Sequence, residues 1–229
     1  MKQKLLLFDI DGTLIYTHGI PRNAMKAVLT NRFSNFKYDD KFNFSGRTDW
    51  EIIEHLLNSD QREVTDNAIH EILQDFSVEL EKQLKNGKKP FIYPGVKDLL
   101  KKLSNQEHIF LGLVTGNIEI GAKLKLSAAG LAHYFPIGGF GSDSKNRNDL
   151  PPIAINRAYE YYKVRIKKTD TWIIGDSIRD VFCAQINNLR CLAVSTGWTH
   201  YDELKSVNPE YLVRDLSDKE AILKILVKD

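Results

Sequence analysis

Along the chain, short unbroken apolar runs alternate with longer stretches in which apolar positions recur every three or four residues. The runs at residues 4–8, 109–114 and 171–174 are nearly continuous. A strand with one wet face alternates apolar and polar side chains, whereas a strand covered on both faces does not, so these runs predict a parallel sheet buried between helices. Residues 190–195 read the same way, and 210–213 more weakly. Helical periodicity fills 95–104, 118–129, 150–164 and 177–187. Strand and helix in alternation predict an open α/β sheet.

The spacing of the strands is uneven. Between the first run and the second lies far more chain than the dozen or so residues that a crossover needs. The surplus predicts helices over 21–33, 48–58 and 62–85. Pro21 suits a first helical turn, and Thr48 followed by Glu51 has the form of a capping box. The lysine-rich turn at 85–90 leads back. The domain division expected is a core of residues 1–15 and 91–229, with 16–90 inserted as a helical cap.

Composition narrows the functional classes without choosing among them. The 229 residues are 42% hydrophobic and 27% charged, which excludes a disordered chain and a collagen-like fibre. Thirty-two Lys and Arg against thirty Asp and Glu leave a net charge of +2, giving no field that would draw nucleic acid or a membrane surface. Cys183 and Cys191 lack metal-ligand spacing and are expected to be buried thiols of a reduced, cytoplasmic protein. The first apolar run is too short for a signal peptide, and no run approaches the roughly 18 residues of a membrane span.

Chemistry gathers where the strands stop. Asp9 and Asp11 follow the first run, Thr115-Gly116-Asn117 the second, and Asp176 and Asp180 the third. Ligands of open α/β sheets bind beyond the carboxyl ends of the strands, so these residues should meet in one crevice. Four carboxylates in one place repel unless protons or a cation hold them, and hard oxygen ligands beside a phosphate suit Mg²⁺. A serine-hydrolase elbow is absent, because Gly139-Phe140-Gly141-Ser142-Asp143 lacks the closing glycine.

Phe8-Asp9-Ile10-Asp11-Gly12-Thr13-Leu14 resembles the DxDGTL signature of the haloacid dehalogenase superfamily. Val114-Thr115-Gly116-Asn117 is similar to its second motif, and Gly175-Asp176-Ser177-Ile178-Arg179-Asp180 to its acidic fourth motif. The resemblance implies a Rossmann-like, doubly wound core with a helical cap between motifs one and two, as in phosphoglycolate-phosphatase-like members. It implies Asp9 as nucleophile, Asp11 as general acid and base, and Mg²⁺ held by Asp9, the Asp11 carbonyl and Asp176. Asp180 would orient the metal's water, and Gly12, Thr13, Thr115, Gly116 and Asn117 would face the phosphoryl group. The third motif is normally a lysine; Lys145 and Arg147 both stand nearby, and Arg147 is preferred because it lies just before the helix at 150. Arg47, ahead of a cap helix, is the candidate for reading the rest of the substrate. His18 lacks a partner and is expected to be structural or solvent-exposed rather than catalytic. The expected activity is Mg²⁺-dependent hydrolysis of a small phosphorylated metabolite. Alternatives are a sugar phosphomutase of the β-phosphoglucomutase type and a non-catalytic phosphate- or partner-binding module on the same fold.

Overall fold

The computed structural model describes residues 2–228. Its strands are β1 (Lys4–Phe8), β2 (Ile15–Tyr16), β3 (Phe91–Ile92), β4 (Ile109–Thr115), β5 (Gly138–Phe140), β6 (Thr171–Gly175), β7 (Arg190–Val194) and β8 (Tyr211–Val213). Its helices are α1 (Ile20–Arg32), α2 (Asp49–Ser59), α3 (Asp66–Asn86), α4 (Val96–Ser104), α5 (Glu119–Ala129), α6 (Leu150–Tyr162), α7 (Ile178–Asn187), α8 (Tyr201–Ser206) and α9 (Lys219–Lys228). Six strands form one sheet in the order β5-β4-β1-β6-β7-β8, with every neighbouring pair parallel.

The unbroken apolar runs are explained by cover on both faces. Leu6 and Phe8 of β1 pack with Leu99 and Leu103 of α4 and Leu226 of α9. Their neighbours Leu5 and Leu7 point the other way, onto Leu150 and Ala154 of α6 and Val181 of α7. Each such side chain taken from water contributes roughly 1.5–3 kcal/mol, which is why the most apolar run takes a central position. The chain leaves β1 toward β4 and β5, then crosses back to β6, β7 and β8 on the other side. Strand order therefore reverses between β1 and β6, and the crevice at such a switch point is where this architecture binds ligands.

Strands β2 and β3 pair antiparallel, Ile15 opposite Ile92 and Tyr16 opposite Phe91, so the chain enters and leaves the long helical insertion side by side. Within the insertion, α1, α2 and α3 close around Met25, Leu29, Ile53, Leu56, Ile72 and Phe76. That cluster also takes in Ile118, at the start of α5, and so is continuous with the sheet's own helices. No helix among the described residues is long and apolar enough to cross a membrane.

Two local expectations are corrected. Thr48 caps α2 by accepting from the Glu51 N–H at 3.1 Å, but the Glu51 side chain does not complete a capping box; it pairs with the Arg47 guanidinium instead. A charged partner one turn away outcompetes a neutral backbone N–H. Helix α3 begins at Asp66 rather than near residue 62, because Thr65 accepts from the Ala68 N–H and supplies the cap.

Candidate active site

The residues that end β1 and β6 build the floor of the crevice. Beyond Phe8 the backbone folds tightly, with the N–H groups of Leu14 and Ile15 both donating to the Ile10 carbonyl. Gly12 turns this loop at φ 88°, and a Cβ there would lie 2.4 Å from an Asp176 carboxylate oxygen. Only glycine allows both the left-handed backbone and the close approach. The Thr13 hydroxyl donates to Asp176 Oδ1 at 3.0 Å and ties the two strand ends together.

Asp9, Asp176 and Asp180 each offer one oxygen to a group lying within 4.8 Å, and all three are buried. Burial pushes the Asp9 carboxyl up to about 6; Arg147 opposes this, while Asp180 and Asp11 add to it. Asp176 is likewise raised well above the usual carboxylate range, by burial and then by Asp9 and Asp180. Asp180 is occupied on both sides. Its Oδ2 accepts from the Ser177 N–H at 3.0 Å and the Ser177 hydroxyl at 2.6 Å, and its Oδ1 pairs with Arg147. That leaves Asp9 and Asp176 as the members with oxygens to spare. An all-oxygen donor set in which Asp9 and Asp176 are held above the usual carboxylate range fits a hard divalent cation.

Arg147 is buried in the short turn before α6, its Nη2 3.3 Å from Asp9 Oδ1 and also donating to the Val114 carbonyl. Burial works against its charge, but Asp180 and Asp9 outweigh that and hold the guanidinium protonated. Lys145 lies on the surface, 63% exposed and 3.6 Å from Glu54, and does not line the cleft that holds Asp9.

Asp11 departs from the expected convergence. Three of the four carboxylates cluster, while the Asp11 side chain turns to the β4 end. Its Oδ2 accepts from Asn117 Nδ2 at 2.8 Å and from Lys125 Nζ at 2.6 Å. Asn117 Nδ2 also bonds the Thr115 hydroxyl oxygen at 2.7 Å, so Thr115, Asn117 and Asp11 form one network. Lys125 escaped the sequence reading, yet it carried a signal: it stands on the buried stripe Gly121, Ala122, Lys125, Leu126 of α5, where a lysine needs a reason.

The insertion docks onto this network. Asp49, at the start of α2, accepts from the Ile118 N–H and donates its own N–H to the Gly116 carbonyl, both at 2.8 Å. Asp49 is the other residue the sequence reading missed. Burial pushes its carboxyl up to about 6, against the pull of Lys125. A Cβ on Gly116 would lie 1.9 Å from the Arg47 carbonyl oxygen, so a glycine is needed for the insertion's loop to come this close. Arg47 itself stacks on the Phe42 ring at 4.7 Å and pairs with Glu51, which Arg179 also approaches at 3.4 Å. Between insertion and sheet lies a cleft of about 460 Å³, lined by Asp9, Asp11, Arg47, Lys125 and Arg147 and by the aromatic rings of Tyr16, Phe44, Tyr93 and Trp198. His18 does not line it; its ring packs on Tyr16 at 4.8 Å.

Known proteins resemble this chain in sequence and in fold. The haloacid dehalogenase-like hydrolase family matches residues 6–194. The phosphoglycolate phosphatase of Psychrobacter arcticus is 28% identical over 236 residues, covering 100% of this chain and 97% of the relative. That of Vibrio parahaemolyticus is 25% identical over 224 residues, covering 94% and 93%. Among solved structures, a predicted phosphatase from Clostridium acetobutylicum superimposes with a TM-score of 0.72 at 26% identity, covering 99% of each chain. The chain belongs to the haloacid dehalogenase-like hydrolases, on the phosphatase side of that family.

Proposed function

We propose that this chain hydrolyses the phosphate monoester of a small metabolite through an aspartyl-phosphate on Asp9, with residues 16–90 acting as a cap over the core. The observation that carries the reading is the buried set of Asp9, Asp176 and Asp180 held against Arg147, with Asp11 beside it. A carboxylate oxygen of Asp9 attacks phosphorus, and the bond to the leaving alcohol breaks as Asp11 gives the departing oxygen a proton. Water then attacks phosphorus, Asp11 takes back a proton, and the Asp9–phosphorus bond breaks to release phosphate and restore the carboxylate. Arg147 stabilises the charge on the transferring oxygens. The hydroxyl of Thr115 and the backbone at Gly12, Gly116 and Asn117 face the same group, whereas the Thr13 hydroxyl, expected there from the sequence, is buried and committed to Asp176.

The side chains of Asp9 and Asp176 and the carbonyl of Asp11 would hold Mg²⁺, with Asp180 ordering its surroundings. When bound, the ion neutralises charge between nucleophile and phosphate. A cleft of about 460 Å³ accords with a small substrate. The test is turnover of p-nitrophenyl phosphate and a panel of phosphorylated metabolites by the purified protein with Mg²⁺. Release of inorganic phosphate well above that of the Asp9→Asn variant is expected. Indistinguishable rates across the whole panel would sink the reading, and conversion of a sugar phosphate to its isomer without phosphate release would favour a mutase.

A further inference from the structure

Of the buried charges near the cleft, Lys125 and Asp49 have no place in the scheme above, and Lys125 is the one that touches a group the scheme uses. Its side chain is 3% exposed and its Nζ lies 2.6 Å from Asp11 Oδ2. The ammonium also bonds Asn117 Oδ1, and so holds the amide whose Nδ2 reaches the same Asp11 oxygen at 2.8 Å. Burying an ammonium costs several kcal/mol unless partners offset it, and replacing such an ion pair as a whole by apolar groups is often neutral or stabilising. Lys125 is therefore a poor device for stability alone. From the cap side it faces Asp49, which attracts it across the domain boundary.

We propose that Lys125 is a positioning residue for the acid and base Asp11, an inference that rests on the phosphatase reading. Both groups on Oδ2 are donors, and neither can accept a proton from it. Oδ1 receives only a long bond from the Thr17 hydroxyl, 3.5 Å, among the described residues. The clamp thus fixes the rotation of the carboxyl and leaves Oδ1 as the oxygen that exchanges a proton with the leaving group. Two cations divide the site: Arg147 serves the nucleophile and the phosphoryl group, and Lys125 serves the proton donor.

The consequence is a dependence on the leaving group. Nitrophenolate departs without help, whereas an alkoxide needs the proton of Asp11. The term kcat/KM reports the steps up to loss of the leaving group, so it isolates this difference. In the Mg²⁺-loaded full-length enzyme, Lys125→Met should lower kcat/KM for the best alkyl phosphate of the panel by roughly 10²-fold or more, in the range of general acid catalysis. For p-nitrophenyl phosphate the loss should stay within a few-fold. Lys125→Gln, which keeps a donor and a polar tip, should show the same ordering with a smaller loss, and it serves should the methionine variant not fold. Equal losses on both substrates in a variant with native circular dichroism would overturn the inference, as would no loss on either. A parent enzyme that turned over neither substrate would overturn the phosphatase reading, and this inference with it.

Discussion

At the scale of single residues, the site is a set of carboxylates that the fold has removed from water and left short of positive charge. For Asp9 this sets a sign that can be tested. Its folded pKa of about 6 lies above the ordinary 3.8, so the folded state holds the proton more tightly than the unfolded chain. The associated stability is present below the unfolded value and is lost as pH rises through about 6. Asp9→Asn mimics the protonated carboxyl at all pH. In EDTA, the variant should melt above the parent at pH 7.5 and approach it near pH 4.5; a gap independent of pH would contradict the assigned shift. The same variant should lose phosphatase turnover and acquire no base-labile, hydroxylamine-sensitive phosphate. The two cations near the third motif should separate as cleanly. Arg147→Ala should lower kcat by roughly 10²-fold or more on every substrate, as loss of one preorganised contact does. Lys145→Ala, which removes only a surface pair with Glu54, should leave kcat within two-fold or so.

At the scale of elements, the sequence carried most of the core and only half of the site. Buried strands announce themselves because cover on both faces demands apolar residues at every position. Helices α1, α2, α5 and α7 fall within about a residue of expectation for the related reason that a one-sided stripe has a strict period. The acids after β1 and β6 were legible because small and acidic residues at a strand end have few structural uses. Lys125 and Asp49 were not, since each acts through a partner distant in sequence: Asp11 for the lysine and the Ile118 N–H for the aspartate. The turn of Asp11 away from the acidic cluster had no local signal either, because it depends on where α5 delivers its ammonium. Gly116 shows the cost of that long-range fit. Gly116→Ala would drive a Cβ into the Arg47 carbonyl, a backbone atom that cannot rotate aside. The expected result is a loss of about 1–3 kcal/mol in denaturant unfolding, with a raised KM as the insertion's loop is displaced. Unchanged stability and KM would show that the loop is free to yield.

At the scale of the whole molecule, the proposed chemistry sits at the switch point between β1 and β6, in a cleft whose other wall is the insertion. The proposed metal dependence belongs to this scale: EDTA should abolish turnover, Mg²⁺ should restore it, and Ca²⁺ should substitute poorly because its longer and looser coordination misplaces the attacking oxygen. Activity that survived rigorous chelation would remove Asp176 from the proposed ligand set. In the proposed scheme, substrate choice belongs to the insertion. Arg47 hangs from the insertion over the cleft, but its guanidinium is held by Glu51 and rests on Phe42. A substrate with a second anionic group would have to draw the guanidinium away from Glu51, and one without such a group would leave the pair undisturbed. Remote contacts contribute only where the remote group exists. Arg47→Ala should therefore lower kcat/KM for an anionic metabolite by roughly 10- to 100-fold while changing p-nitrophenyl phosphate by less than about three-fold, the difference being one charge-assisted contact. Glu51→Gln should act in the opposite direction, lowering KM for the anionic metabolite by releasing its competitor. Parallel losses on both substrates for Arg47→Ala, with Glu51→Gln inert, would place Arg47 in the docking of the cap and not in the reading of the substrate.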